Sequence, residues 1–397
     1  MAGAPSATAA PSASSTAQAP TAAAQQTPSA PSVVPFLRGS GRGKYKFYSK
    51  AGLTHTTATQ DLGPIDIKAY DYMRSILVTY TTTAVGGALG TLSADGPFNA
   101  FTNVSVLQPN GQTMYQVSSG HRAAMIQKYG LYRSESDPRA DPNFAGTQGS
   151  ATSTATFAFR IPFELDLRDA LGALPNKDAA APFSLNLTLN TLTNMFGSSE
   201  GTSNTFTVEA WLEAYDQPPS VLNGAPVQTT PPNMNTLQRW TEQSVNMSTG
   251  QFDVRLRKLG NYIRMLIPIM YNSSNARIGG LNSASTNWSD PIQIVLDEDT
   301  KDNISMADFF RRIWEQWGYG QAGSTFDAFT SALSGFDTGV YPIQYCFDER
   351  DPAVENANLY LPTIESEDYL LRGSWGSACS TLRFLVGEVL PQGNIFG

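Results

Sequence analysis

The chain has little of what most catalytic and metal-binding sites are built from. Its 397 residues include only two histidines and two cysteines. His55 and His121 lie far apart in the sequence, and neither has a cysteine or carboxylate at the spacing of a metal or nucleophile site. The sequence also has no phosphate-binding glycine loop, dinucleotide-binding fingerprint or nucleophile elbow. It therefore predicts a protein that is not an enzyme and that holds no metal or cofactor.

Long apolar runs and an excess of basic charge are missing as well. No run approaches the roughly 18 residues that cross a bilayer as a helix, and the N-terminus lacks the layout of a signal peptide. With a net charge of −8, the chain has no broad basic face to neutralise nucleic-acid phosphates. We predict that Cys346 and Cys379 are buried free thiols, with a single bridge as the alternative. These absences predict a soluble protein, made in the cytoplasm, that binds no nucleic acid sequence-specifically.

What the chain has instead is the composition of strands and turns. Only 15% of its residues are charged, whereas Gly, Ser, Thr, Asn and aromatic residues are frequent. Single hydrophobic cores stop growing near about 250 to 300 residues, so two domains are expected. Strand-like runs fill both halves, at 65–80, 101–107, 113–117, 154–163, 183–192, 205–215, 252–256, 262–271, 291–296, 340–347, 358–361, 369–372 and 381–389. Many strands with long loops between them predict Greek-key sandwiches of the jelly-roll kind.

Two stretches resemble each other about half a chain apart. Residues 72–80 read YMRSILVTY, and residues 262–271 read YIRMLIPIMY. A shorter pair precedes them, IDIK at 65–68 and FDVR at 252–255. Each half also ends on a strand-like run. Because these similarities keep the same order in both halves, we interpret them as a duplicated β domain.

The sequence predicts one short helix in each half. The first, at 167–174, follows a strand and precedes Pro175. The second has Asn303 or Ser305 as its N-cap and an apolar stripe at helical spacing, which predicts packing: Met306, Phe309, Phe310, Ile313, Trp314 and Trp317. The acidic run Asp297–Asp302 suits the N-terminus of this helix, and a cation site there is an alternative that the sequence leaves open.

Composition places the remaining boundaries. Residues 1–32 are almost wholly Ala, Pro, Ser, Thr and Gln, which predicts a disordered arm. Residues 217–235 contain five prolines and no charge, which predicts a stiff extended linker. The predicted order is therefore an arm, a basic segment, a first jelly roll, the linker, a second jelly roll and a tail, at 1–32, 33–62, 63–216, 217–235, 236–391 and 392–397.

The basic segment holds the candidate binding residues. It concentrates five of the 26 basic residues of the chain and has aromatic residues between them; the five are Arg38, Arg42, Lys44, Lys46 and Lys50. One interpretation is contact with an anionic surface, either a membrane or packaged nucleic acid. The other is a segment whose aromatic side chains pack on the protein's own body.

The sequence offers two alternatives to a structural role, a glycoside hydrolase and a binding module. Glu164 and Asp166 would share one face of a continuing strand, and paired carboxylates of this kind serve glycoside hydrolases. Arg160 and Arg168 flank them, so a structural ion pair is the simpler interpretation. The main alternative is a β-sandwich that binds glycans or a receptor through stacking tryptophans, for which the candidates are Trp211, Trp240, Trp288 and Trp375.

The paired Tyr-x-Arg strands at 72–80 and 262–271, the closing strands and the two helices together resemble a known family. Over about 63–391, the chain resembles the double jelly-roll major capsid proteins of tailless icosahedral double-stranded DNA viruses, and in length the tectivirus-like bacteriophages. The resemblance implies an all-β fold of two tandem eight-stranded antiparallel jelly rolls. It further implies a homotrimer that forms a pseudo-hexagonal capsomer in the virion capsid. The implied partners are neighbouring capsomers, minor capsid or vertex proteins, and an internal viral membrane reached by the N-terminal arm.

Overall fold

The structure is a computed structural model. It describes residues 3, 32–56, 58–85, 95–96, 98–130, 144–147, 152–165, 170–195, 203–229, 236–257, 260–278, 290–317, 337, 339–345, 360–364, 366–375 and 379–391. Most of the predicted arm, the predicted tail, Cys346, Asp166, Arg168 and Trp288 lie outside the described residues.

The described residues form mostly strands. In the first half these are β1 (Ser32–Val34), β2 (Arg42–Thr54), β3 (Gln60–Asp61), β4 (Ile65–Ile67), β5 (Tyr72–Val85), β6 (Phe101–Leu107), β7 (Thr113–Val117), β8 (Phe144–Thr147), β9 (Thr152–Pro162), β10 (Leu174–Pro175), β11 (Phe183–Leu189) and β12 (Ser203–Tyr215). They continue as β13 (Val221–Leu222), β14 (Ala225–Thr229), β15 (Thr236–Asn246), β16 (Gly250–Arg255), β17 (Tyr262–Tyr271), β18 (Ile292–Leu296), β19 (Asp299–Ile304), β20 (Ile343–Gln344), β21 (Leu361–Pro362), β22 (Tyr369–Trp375) and β23 (Thr381–Pro391). The helices are α1 (Phe36–Gly39), α2 (Gly120–Gly130), α3 (Leu192–Met195) and α4 (Met306–Trp317), with a 3-10 helix at Phe98–Ala100.

Eight strands of the first half form two sheets with jelly-roll connectivity. One sheet has the order β2-β12-β5-β9, extended by β8, and the other has the order β4-β11-β6-β7. All of these neighbours are antiparallel. The sheets share one core, in which Tyr80 of β5 packs edge-on against Phe101 of β6 with ring centroids 5.7 Å apart. Alternating buried and half-exposed residues along β11 show that its other face lies towards solvent.

The second half repeats the same order of pairing. Its two sheets are β15-β23-β17-β20 and β16-β22-β18-β19. In both halves the first strand (β2 or β15) pairs with the last (β12 or β23). The last pairs with the third (β5 or β17), and the third pairs with the sixth (β9 or β20). The second strand (β4 or β16) pairs with the seventh (β11 or β22). The seventh pairs with the fourth (β6 or β18), and the fourth pairs with the fifth (β7 or β19). The predicted fold of two tandem jelly rolls is therefore confirmed.

The repeated Tyr-x-Arg sequences occupy equivalent places in the two jelly rolls. Each lies on the third strand, β5 or β17, and pairs with the closing strand, β12 or β23. The pairing skips Arg74 in the first half and Arg264 in the second, so each arginine sits at a β-bulge. The shorter repeats are equivalent too, because β4 pairs with β11 and β16 pairs with β22. The duplication deduced from sequence is a duplication of strand position.

The helix prediction is right in the second half and wrong in the first. In α4 the Ser305 Oγ accepts the N–H of Asp308 at 3.2 Å, as expected for an N-cap. Trp314, expected in the apolar stripe, is instead 63% exposed. The described part of 167–174, residues 170–174, forms turns and the start of β10. The first half has its helix at α2, which follows the fifth strand as α4 does; all eleven residues of α2 are buried, so its sequence shows no amphipathic period.

Two segments have more structure than their composition indicated. The strand β2 pairs along β12 and lies upstream of the predicted domain start at residue 63. Within the predicted linker, β13 and β14 form a small sheet with β1. His55, which follows β2, is 5% exposed and packs edge-on against Phe206. Among the described residues, no helix is long and apolar enough to cross a membrane.

Candidate functional site: the contact between the two jelly rolls

The two jelly rolls are joined through one continuous sheet. β7 of the first half pairs in parallel with β15 of the second at Tyr115 and Trp240. Trp240 is 1% exposed, and its indole Nε1 donates a hydrogen bond to Gln238 at 3.0 Å. The ring lies against Gly130 and Gly387, where an added Cβ would come within 2.6 and 2.8 Å of it. A large aromatic side chain between two glycines therefore sets how closely the halves approach.

The helix α2 of the first jelly roll is held from its C-terminal end by the second. The carbonyl of Gly130 accepts a hydrogen bond from Arg264 Nη1 at 2.6 Å, and that of Tyr129 accepts one from Trp317 Nε1 at 3.2 Å. The last carbonyls of a helix have no partner within the helix and carry partial negative charge. Arg264, the arginine of the second Tyr-x-Arg repeat, thus neutralises a helix end across the contact.

Charged side chains from both halves pair along the rest of the contact. Lys128 lies 2.8 Å from Asp337, and Arg277 lies 2.5 Å from Asp95. Removing one partner from a buried ion pair is costly, because a desolvated charge is left uncompensated. These pairs therefore favour a single arrangement of the two jelly rolls.

A triad of alternating charge lies at the start of α2. Glu242 of β15 is 3.4 Å from Arg122 and 3.0 Å from Arg383, and it also accepts hydrogen bonds from Ser118. Both guanidinium groups lie 5.6 Å from the ring centroid of Tyr271. The triad joins one side chain of the first jelly roll to two of the second.

His121 is buried in this contact. Burial, which disfavours the imidazolium, lowers the pKa of His121 to about 4. The carboxylates of Asp95 and Asp337 act in the opposite direction, whereas Arg277 and Arg122 add to the lowering. His121 is therefore neutral at pH 7 and is a packing residue at the contact.

The protein is expected to lose stability on acidification because of His121. Between pH 6.5, the ordinary histidine pKa, and about 4, the unfolded chain binds a proton that the folded chain does not. The free energy of unfolding should therefore fall as the pH drops through this window, by up to roughly 3 kcal/mol from this residue. Urea unfolding at pH 7.0, 5.5 and 4.5 measures the slope.

The variant His121→Gln should show a flatter pH dependence than the wild type. Glu388 has a raised pKa caused by burial and gives a slope of opposite sign, but it is present in both proteins and cancels in the comparison. Identical slopes in the two proteins would show that His121 does not control the acid response.

The arginine of the first Tyr-x-Arg repeat also compensates a buried charge. Arg74 Nε lies 2.9 Å from Glu164, and the Tyr215 hydroxyl donates a hydrogen bond to the same carboxylate. Arg160, which the sequence placed beside Glu164, instead pairs with Glu213 at 2.9 Å. An ion pair at Glu164 exists, and its partner among the described residues is Arg74; Arg168 lies outside them. The partner lies far away in sequence because β5 and the end of β9 come together only in the folded sheet.

The predicted basic residues divide between a short helix and a strand. Arg38 lies in α1, and the other four lie in β2, where their side chains are exposed. Tyr45, Phe47 and Tyr48 of the same strand pack against the core. Lys44 and Lys46 lie 5.1 and 5.2 Å from the ring centroid of Trp211, and Lys46 pairs with Glu209 at 3.1 Å. Contact of the five basic residues with an anionic surface stays a prediction.

Several of the other candidate residues are occupied within the protein. Asp297 accepts the backbone N–H groups of Glu367 and Asp368, Asp299 pairs with Lys301 and Asp302 pairs with Arg312. Within the described ranges, no three metal-ligating side chains are grouped so as to hold an ion. Of the tryptophans proposed for glycan stacking, Trp240 is buried at the contact and Trp211 lies beside two lysines. Cys379 is buried, as expected.

No protein-family model matches the chain, and neither does any curated protein. Solved structures do match. The Faustovirus major capsid protein aligns with a TM-score of 0.57 at 8% identity, over 88% of this chain and 90% of that chain. The capsid of PBCV-1 virus gives a TM-score of 0.57 at 10% identity, over 88% and 93%. The major capsid protein P2 of bacteriophage PM2 gives 0.50 at 10% identity, over 89% and 99%.

The arrangement of strands and these alignments define the chain as a double jelly-roll protein. Its fold is that of the major capsid proteins of icosahedral viruses, so the resemblance predicted from the sequence is confirmed at the level of the fold.

Proposed function

We propose that the chain is a structural major capsid protein that forms homotrimeric, pseudo-hexagonal capsomers of an icosahedral virus shell. The observation that carries the proposal is the repetition of one strand order in two jelly rolls held together by a buried contact. Three copies of such a chain present six similar units around a three-fold axis, and a head-to-tail contact between two different surfaces closes into a ring when the rotation between copies fits. Buried charges and the enclosed Trp240 support a rigid unit, which a lattice requires.

The proposed role uses surfaces and needs no catalytic chemistry. The partners are two further copies of the chain, neighbouring capsomers and minor capsid or vertex proteins. The place of action is the virion capsid, after synthesis in the host cytoplasm. An internal membrane, if the particle has one, would meet the N-terminal segment around Arg38, which is exposed.

The proposal is tested by the oligomeric state. Light scattering on the purified protein should give three times the chain mass of 42.8 kDa, and electron microscopy should show a flat, near-hexagonal particle. A stable monomer that binds glycans would contradict the proposal and favour the sandwich that recognises glycans or a receptor.

A further inference from the structure

The contact inside the chain has two different sides. The first jelly roll contributes α2 and the end of β7, and the second contributes the outer face of β15 and β23. Each jelly roll has both kinds of side, because the two repeat one strand order. Among the described residues, the other jelly roll therefore covers neither the α4 side nor the β2–β12 side.

The α4 side is exposed where its counterpart is covered. All of α2 is buried, between its own jelly roll and the second half, whereas Trp314 of α4 is 63% exposed, the highest value among the large hydrophobic side chains of the described residues. A single exposed side chain of this size does not by itself mark a contact surface. The equivalence with α2 indicates what covers it: a jelly roll of the same kind.

The β2–β12 side can be aligned with the β15–β23 side through the two bulges. Directly after its bulged arginine, β5 pairs Ser75 with Glu213, and β17 pairs Met265 with Gly387. Glu213 of β12 and Gly387 of β23 are therefore equivalent. Trp211 and Leu385, which lie two residues before them on the closing strands, are equivalent as well.

The strands that pair with these two residues carry opposite charges. Lys46 stands opposite Trp211, and Glu242 stands opposite Leu385. The diagonal neighbours are reversed in the same way, since Glu209 is equivalent to Arg383. Lys46–Glu209 at 3.1 Å is thus the charge-inverted form of Glu242–Arg383 at 3.0 Å.

The helix side is inverted as well. Arg122 is the third residue after Ser119, whose Oγ accepts a helix N–H, and Asp308 is the third residue after the capping Ser305. Inside the chain Arg122 meets Glu242. The equivalent side chains on the two remaining sides are Asp308, which pairs with Arg311 and Arg312 of its own helix, and Lys46, which pairs with Glu209. They are again opposite in sign.

We propose that the α4 side of one copy packs on the β2–β12 side of the next copy, with Asp308 facing Lys46 and Trp314 covered. This inference rests on the proposed trimer and names its contact. The occupant is a second copy of this chain, because the contact continues the pattern already present between the two halves.

The inversion also disfavours an exchange of sides between copies, in which the contact inside the chain would open. The wrong contacts, α2 on the β2–β12 side or α4 on the β15–β23 side, would bring Arg122 to Lys46 or Asp308 to Glu242. Like charges brought together at a contact disfavour wrong partners. The charges therefore favour keeping the α2 side on the β15–β23 side inside each chain.

The test exchanges the charges. Lys46→Glu and Asp308→Lys should each weaken the trimer at least tenfold, seen by light scattering over a dilution series in urea, and the double variant should recover most of the loss. Lys68→Glu, an exposed lysine outside both sides, is the matched control and should leave the trimer unchanged. Trp314→Asp should weaken the trimer without lowering the unfolding midpoint of the dissociated chain.

The outcomes separate this contact from the proposed function. A trimer indifferent to both single exchanges would overturn the contact and leave the capsomer standing, whereas a monomeric wild type would overturn both. Single variants that dissociate, with no recovery in the double variant, would overturn the pairing of Asp308 with Lys46. Flotation of the wild type with anionic vesicles, lost in Lys46→Glu while the trimer persists, would overturn the contact and assign Lys46 to a membrane.

Discussion

Replacing Trp240 with alanine is expected to lower the free energy of unfolding by about 3 to 5 kcal/mol. The indole fills the space between Gly130 and Gly387 and is 1% exposed, so its removal leaves a cavity at the contact between the two jelly rolls. Urea unfolding followed by tryptophan fluorescence and circular dichroism measures the loss. Because the contact orients the halves, the same variant should also assemble poorly.

Trp314→Ala is the matched control for this prediction. It removes the same side chain from a position that is 63% exposed in the single chain, so the dissociated chain should lose less than about 0.5 kcal/mol. A double-mutant cycle sharpens the test: Gly130→Ala should be destabilising in the wild type, where its Cβ meets the indole, and nearly neutral in Trp240→Ala. Equal costs of Gly130→Ala in both backgrounds would show that the indole does not set the spacing.

The duplication could be predicted from the sequence because the residues at the two β-bulges form the same short pattern, Tyr-x-Arg. Tyr-x-Arg lies on the third strand of both jelly rolls, and its arginine is skipped by the pairing in both. The groups that bind these two arginines could not be predicted from the sequence. Arg74 meets Glu164 and Arg264 meets the end of α2, and each of these contacts joins residues at least 90 positions apart. Sequence pattern predicts strand position, whereas the partner of a charge depends on how the sheets stack.

Two elements were missed for opposite reasons. Burial on all sides removes the polar face by which an amphipathic helix is recognised, and α2 is such a helix. In β2, lysines alternate with Tyr45 and Phe47, so the period of two was present, but the concentration of charge favoured a basic segment over a strand. The structure resolves the alternation into an inner aromatic row and an outer basic row. The residues of β15 that are equivalent to Lys44 and Lys46 of the outer row are Trp240 and Glu242, which lie at the contact between the two jelly rolls.

Replacing Glu164 with glutamine is expected to cost roughly 3 to 5 kcal/mol, because Arg74 would keep its charge without a counter-charge in a buried place. The side chain of Glu164 is 6% exposed and that of Arg74 is 16% exposed, so water cannot compensate the loss. Urea unfolding at pH 7 measures the effect. Asp253→Asn is the matched control, since Asp253 pairs with Arg372 at 2.6 Å on the surface, where ion pairs contribute about 0 to 1 kcal/mol.

The same variant separates a structural carboxylate from a catalytic one. A glycosidase reading of Glu164 requires that Glu164→Gln abolish hydrolysis of a polysaccharide while the fold stays intact, and that result would contradict our interpretation. The geometry favours loss of stability, because Arg74 and Tyr215 already occupy both oxygens of the carboxylate.

Arg74 and Arg264 then have the same structural role in the two halves. Each bulge turns a guanidinium away from the strand pairing and towards a negative group that the jelly roll must bury, a carboxylate in the first half and a helix end in the second.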